Sequence, residues 1–156
     1  MNLSELIEEW LDDFGALPDS PDVKIEKSFP PELYVGGEKR YTSLIVQNVL
    51  ENARKYNRPG GRMRVTARSE AGEVVLLIGN TGRPIARDAQ KYIFERFHRG
   101  GTRSHVSGHG LGLNLARELA RLHGGGLRLV RSGDDWTEFE VRFHALYPAP
   151  ARAELA

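Results

Sequence analysis

The sequence predicts an α+β domain in two layers, an α/β sandwich in which a mixed, mainly antiparallel sheet of about five strands is covered on one face by helices. Three observations predict it. Apolar residues recur at helical spacing in three separated segments. Two hairpin patterns stand among them, one from Met63 to Ile78 and one from Leu127 to Phe143. The run from Val74 to Ile78 is almost continuously apolar, which marks a strand central in its sheet.

Leu3, Leu6, Ile7, Trp10, Leu11 and Phe14 follow the i, i+3, i+4, i+7 rhythm of an amphipathic helix, with Asn2 or Ser4 as its cap and Gly15 at its end. Pro18 and Pro21 interrupt the chain, and Val23, Ile25 and Phe29 then alternate as a strand. Pro30-Pro31 stops it, and Leu33-Tyr34-Val35 predicts a short second strand. Glu38 to Tyr56 is the longest helical signal, with Val46, Val49, Leu50 and Ala53 on its core side. Asn57-Arg58-Pro59-Gly60-Gly61 ends it. Met63, Val65 and Ala67 alternate, Glu70-Ala71-Gly72 turns, and Val74 to Ile78 returns. Gly79 to Ile85 is a strand-end loop, and Ala86 to Ile93 is expected to form a short helix. Gly100 to Ser107 is polar, with no apolar face of its own. Asn114 to His123 reads as a third helix, closed by Gly124-Gly125-Gly126. Leu127 and Leu129 open the last hairpin, which turns at Gly133-Asp134-Asp135 and returns as Thr137 to Phe143. Residues 1–146 thus form one domain, and 147–156 a frayed tail.

Bulk properties narrow the function classes. A chain of 156 residues, 40% of them apolar, suits a single domain with a proper core. The formal net charge of +1 gives no nucleic-acid footprint. The chain has no cysteine, which excludes disulfides and thiolate metal sites and fits a cytoplasmic setting. No apolar run reaches membrane-spanning length, and the N-terminus is no signal peptide.

Two stretches carry chemistry. Gly108-His109-Gly110-Leu111-Gly112-Leu113 strips side chains from every second position ahead of a helix, so that backbone N–H groups can close on an anion. A glycine-rich turn alone more often serves packing. Upstream, Asn48, Asn52, Lys55 and Tyr56 project within about a third of the circumference of an otherwise apolar helix. A polar stripe is usually a solvated face, but two asparagines one turn apart cost helix propensity. An amide oxygen can bind a hard cation such as Mg²⁺, and a lysine can reach a phosphate.

Taken together, these stretches resemble the catalytic, ATP-binding domain of bacterial sensor histidine kinases, whose Bergerat (GHKL) fold is shared with gyrase B, Hsp90 and MutL. Four motifs stand in the family's order. Gln47 to Tyr56 is similar to its N box, Asn80-Thr81-Gly82-Arg83-Pro84-Ile85 to its G1 box, Ile93 to Arg99 with Phe97 to its F box, and Gly108 to Leu113 to its G2 box. The resemblance implies that Asn52 is the Mg²⁺ ligand, with Asn48 acting through the metal's waters. Lys55 would touch a phosphate and Tyr56 would pack near the adenine or ribose. Asn80 would receive the adenine amino group, supported by Gly82 and Thr137. The backbone of Gly108, His109, Gly110, Leu111, Gly112 and Leu113 would wrap the triphosphate. Residues 96–107 would form a lid, from which Arg99 would reach the γ-phosphate. The family usually carries Asp where this chain has Asn80 and Gly where it has Pro84. Losing the charge-assisted bond is expected to weaken adenine binding by about 1 kcal/mol, and Pro84 to stiffen the loop.

The resemblance further implies that γ-phosphate passes to a histidine on a separate dimerisation domain, and from there to a response regulator. None of the five histidines, His98, His105, His109, His123 and His144, has the His-acid-apolar-basic setting of that acceptor. His105 and His109 lie in a glycine-rich loop rather than on a helix and do not read as a metal pair. The chain is therefore expected to be a monomeric catalytic domain of a longer homodimeric protein, with any membrane anchor elsewhere. Two other functions share parts of the pattern. One is a serine protein kinase of the anti-sigma type on the same fold, which the F box and long lid argue against. The other is a nucleotide-blind interaction module, which Asn52, Lys55 and the glycine turn argue against.

Overall fold

A computed structural model describes residues 1–15, 22–95 and 112–146. The elements run α1 (Leu3–Gly15), β1 (Lys24–Ser28), α2 (Lys39–Lys55), β2 (Arg62–Glu70), β3 (Glu73–Thr81), α3 (Gly112–Leu122), β4 (Gly126–Gly133) and β5 (Trp136–His144). The five strands form one sheet in the order β1-β2-β3-β5-β4. Only β1 and β2 run parallel; the other pairs are antiparallel, and the apolar β3 is central as expected. Both hairpins turn on two residues with positive φ, Ala71 (50°) and Gly72 (83°), then Asp134 (51°) and Asp135 (64°), the combination whose twist matches that of paired strands.

Alternation along the strands sorts the sheet into two unlike faces. Met63, Val65 and Ala67, then Val74, Leu76 and Ile78, then Phe139, Val141 and Phe143 share the inner face, all buried. Against them pack Ile45, Val46, Val49, Leu50 and Ala53 of α2 and Leu3, Leu6, Ile7 and Leu11 of α1. Ala116 and Ala120 keep α3 close to its neighbours, and Leu119 adds to the same core.

Among the described residues the outer face carries no helix, and it pairs its own charges. Arg142 reaches Glu140 (2.6 Å) and Glu73 (2.8 Å), Arg128 reaches Glu140 (3.0 Å), and Glu26 lies 3.4 Å from Arg64. Trp136 is buried here too, with the Arg62 and Arg64 guanidinium groups 4.9 and 5.3 Å from its ring centre. It packs against Gly79, where any β-carbon would overlap the indole.

Two expected elements are replaced by irregular structure. Leu33-Tyr34-Val35 is no strand; Tyr34 and Val35 make only isolated bridges, to Asn2 and Ala145. The segment is held by single backbone bonds, Leu3 N–H to the Leu33 carbonyl (2.7 Å), Val35 N–H to the Met1 carbonyl (3.0 Å) and Leu146 N–H to the Tyr34 carbonyl (3.0 Å), and by side chains. Asn2 Oδ1 caps α1 by accepting from Ser4 N–H (3.1 Å) and also accepts from Leu33 N–H (3.0 Å), while Ser4 Oγ donates to the Pro30 carbonyl (2.6 Å). Ala86 to Ile93 is no α-helix either. It contains one 3-10 turn, Gln90–Tyr92, inside a run of i→i+3 bonds from Ala89 to Ala86, Tyr92 to Ala89 and Glu95 to Tyr92, each 2.9 Å. Ala89, Ile93 and Phe94 of this stretch are buried. The helix expected from Asn114 begins at Gly112. The expected tail, 147–156, lies outside the described residues.

Burial alone would raise the Glu140 carboxyl, but hydrogen bonds and charge from Arg128 and Arg142 outweigh it and hold the group below its ordinary value of 4.5. A carboxylate lowered in the folded state stabilises above its unfolded pKa and loses that contribution as pH falls through the folded value. Denaturant titrations between about pH 7 and about pH 3 should show stability falling below the ordinary carboxylate range. Glu140→Gln should remove part of that fall and cost about 1 kcal/mol at neutral pH, because Arg142 keeps Glu73 as a partner.

Candidate functional site

Helix α2 is the wall of the site. Its sequence buries Thr42, Ile45, Val46, Val49, Leu50 and Ala53, so the intervening Asn48, Asn52 and Lys55 fall on a half-buried stripe, and Tyr56 caps it 46% exposed. Two backbone segments close on that wall. At one end, a β-carbon on Gly112 would stand 3.5 Å from Asn48 Oδ1, so α3 begins directly opposite the first asparagine. At the other, Gly82 (φ 139°) brings the loop after β3 onto the end of α2, where any β-carbon would overlap the Tyr56 carbonyl. The stripe is thereby bracketed between a helix N-terminus and a strand-end loop.

Polar bonds lock the second contact. Thr81 Oγ1 donates to Asn57 Oδ1 (2.5 Å) and accepts from Arg62 N–H (2.9 Å), while Asn57 Nδ2 donates to the Arg62 carbonyl (2.9 Å). Asp135, in the β4–β5 turn, pairs with Arg58 and accepts from Gly82 N–H; the Arg58 bond leads in holding its carboxyl below the ordinary range.

The floor is the inner face at the end of β3. Asn80 and Thr137 are register partners on adjacent strands, 4% and 6% exposed. Asn80 Nδ2 donates to the Thr81 carbonyl (2.8 Å). A carbonyl can only accept, so that bond fixes the amide with Oδ1 as the acceptor it offers.

A two-layer sheet whose long helix faces a glycine-opened helix and a buried polar strand end invites comparison with known families. Residues 37–146 match the model of the family described as histidine kinase-, DNA gyrase B- and HSP90-like ATPases. The chain belongs to that family. It is similar to the sensor protein kinase PmrB of Pseudomonas aeruginosa, 32% identical over 130 residues, which cover 83% of this chain and 27% of PmrB. It is also similar to the sensor-type histidine kinase PrrB of Mycobacterium leprae, 34% identical over 134 residues, covering 85% of this chain and 29% of PrrB. Among solved structures, a mycobacterial sensor histidine kinase, MprB, superposes with a TM-score of 0.81 at 26% identity, covering 93% of this chain and 97% of that one. The chain spans less than a third of the length of these two curated relatives. It corresponds to the ATP-binding catalytic part of sensor histidine kinases, and the relatives favour neither the serine-kinase nor the nucleotide-blind reading.

In this ATPase domain, α2 gathers Asn48, Asn52, Lys55 and Tyr56 on one side, with Gly112 against Asn48 and Gly82 against Tyr56. Leu113 is partly buried against the core. Ile85 engages through its backbone, its N–H donating to Ser132 Oγ (2.7 Å). Phe97, Arg99, Gly108, His109, Gly110 and Leu111 lie outside the described residues. Sequence reasoning missed Asn57, Thr81 and Ser132. Ser132 pairs with Thr137 across the Asp134-Asp135 turn, so a two-residue turn, had it been assumed, was the one signal that could have found it.

Among the described residues no group of three or more His, Cys, Asp or Glu could hold a metal. The donors at hand are amide oxygens of Asn48 and Asn52. That set fits Mg²⁺, which takes oxygen ligands and keeps several from water and phosphate.

Gly82→Ala should destabilise the domain by about 2–3 kcal/mol, because the new methyl meets backbone that cannot rotate away and φ is unfavourable for alanine. Gly60→Ala is the control: φ is also positive (78°) but nothing lies within 4 Å of the added carbon. It should cost about 1 kcal/mol. Denaturant midpoints of the two variants test the difference.

Proposed function

We propose that this ATP-binding domain takes Mg²⁺·ATP between α2 and the start of α3 and presents the γ-phosphate to a histidine imidazole carried by another domain of the longer protein. The observation that carries the proposal is the convergence on one helix: Asn48 faces Gly112 while Tyr56 meets the Gly82 loop. A nucleotide lying along α2 would set its base on Asn80 and Thr137 and its phosphates at the N-terminus of α3, where first-turn N–H groups and the helix dipole favour negative charge.

Mg²⁺, when bound, supplies charge neutralisation on the phosphate oxygens. Asn52 is proposed to hold it, with Asn48 hydrogen-bonding the waters around it. Lys55 and Arg99 are proposed to balance the remaining charge. The reaction breaks the bond between the γ-phosphorus and its bridging oxygen, forms a bond from that phosphorus to an imidazole nitrogen, and releases ADP. The imidazole proton leaves to a base on the acceptor's own domain. Phosphoryl transfer asks mainly for alignment and electrostatic stabilisation, which a cleft lined by amides, cations and backbone N–H groups supplies.

Calorimetric titration with ATP and Mg²⁺ should give saturable binding that Asn52→Ala weakens by about tenfold or more, with much of the loss reproduced by chelating Mg²⁺ from the unaltered protein. Asn80→Asp adds a charge-assisted bond to the adenine amine but sets a carboxylate oxygen against the Thr81 carbonyl, so binding should change by no more than about twofold. Hydrolysis by the domain alone should be slow, since the acceptor is elsewhere. No heat with ATP at about 1 mM would reject the proposal.

A further inference from the structure

The proposed base site contains a hydrogen-bond relay that its composition alone does not announce. Ser132 Oγ accepts the Ile85 backbone N–H at 2.7 Å and lies 2.6 Å from Thr137 Oγ1. These are its hydrogen bonds among the described residues, and they tie the loop after β3 to the β4–β5 hairpin. Thr137 is 6% exposed and stands beside Asn80 on the inner face of the sheet.

From these contacts we infer that Ser132 is a positioning residue that sets the direction in which Thr137 hydrogen-bonds a purine, and so makes the cleft prefer 6-amino over 6-oxo purine nucleotides. The inference rests on the nucleotide reading above. The direction follows from donor bookkeeping. An amide N–H can only donate, so Ser132 spends one lone pair on Ile85. Accepting that bond polarises its own O–H and makes it the better donor toward Thr137. In the reverse arrangement Ser132 would accept twice and leave its own proton to seek a third partner. The chain therefore runs from Ile85 N–H to Ser132 to Thr137, and the Thr137 proton is left to point onward.

Beside it, Asn80 presents the opposite polarity. Its Nδ2 is committed to the Thr81 carbonyl at 2.8 Å, so Oδ1 is its accepting end. Turning the amide over would set two carbonyl oxygens against each other. An acceptor from Asn80 and a donor from Thr137 together complement a 6-amino group beside an unprotonated ring N1. A 6-oxo purine inverts both atoms, offering an acceptor at position 6 and a donor at N1. Each mismatch leaves a buried polar group without its partner, a penalty larger than the gain from one correct bond. Asparagine could serve either purine in principle; the Thr81 carbonyl and the Ser132 relay decide which.

Binding of ATP and ITP, which differ only at that edge, tests this. The unaltered domain should prefer ATP by about 100-fold. Ser132→Ala releases the Thr137 hydroxyl to rotate, and should shrink the preference to about tenfold or less, while Ser132→Thr, which keeps the relay oxygen, should restore it. Thermal melting shows whether each variant folds; should Ser132→Ala not melt cooperatively, Thr137→Val removes the same donor and should shrink the preference equally. A ratio unchanged in the folded variant, with both nucleotides weakened alike, overturns the role given to Ser132 and leaves the ATP reading standing. Equal binding of ATP and ITP by the unaltered domain overturns it as well. Binding of neither nucleotide overturns the ATP reading, and this inference with it.

Discussion

The site depends on one contact between main chains, the seating of Gly82 on the Tyr56 carbonyl. It sets how far the floor formed by Asn80 stands from the wall formed by α2, and no side chain could set that spacing so closely. The polar bonds around it act as fasteners. Thr81 and Asn57 tie the adjoining residues of loop and helix, and Asp135 brings the far hairpin to the Gly82 N–H. Three elements remote in sequence therefore share one junction. The junction is stiff where Thr81 Oγ1, part-buried, already has its partners, since loosening it leaves a donor and an acceptor unmatched.

The two faces of the sheet are coupled through register. Asn80 faces inward only because β3 is paired with β2 and β5 as it is; a slip of one residue would turn Gly79 inward and Asn80 out. The outer face resists that slip. Trp136 fits only over a residue without a side chain, and Arg62 and Arg64 cover it while sharing Glu26. A slipped strand would place Asn80 or Ile78 beneath the indole. The self-paired charged surface thus does more than keep the sheet soluble: it helps hold the alignment on which the inner polar floor depends.

Much of this was legible in the sequence, for reasons that can be named. The stripe on α2 showed because burial and polarity repeat with the helix period, and β3 showed because a strand flanked by neighbours on both edges carries apolar residues at consecutive positions. What was illegible involves bonds without a local period. The strap at Leu33 to Val35 is held by Asn2 and by single backbone bonds to Met1, Leu3 and Leu146, all remote in the chain, so its β propensity yields isolated bridges rather than a ladder. The segment after Pro84 has helical composition, yet its backbone bonds close mainly at i→i+3 and no α-helix forms. Ser132 carries no periodic signal of its own, and only the hairpin register sets it opposite Thr137.

The two departures from the family pattern at the strand-end loop bear on each other. Asn80 lacks the charge that would let an aspartate accept a hydrogen bond whatever its rotation, so its usefulness depends on being held one way round. Pro84 removes a backbone donor and fixes φ just before Ile85. The donor that matters in this loop is the next one, the Ile85 N–H, and it is the one bonded to Ser132. A stiffened residue ahead of that N–H narrows the directions in which it can point, and so steadies the Ser132–Thr137 pair beside Asn80. With proline at the loop, the neutral amide stands next to a hydroxyl whose bonding partners are already set. Asn80 and Pro84 thus act on the same loop, one as an amide held one way round by the Thr81 carbonyl, the other by fixing the chain ahead of the Ile85 N–H.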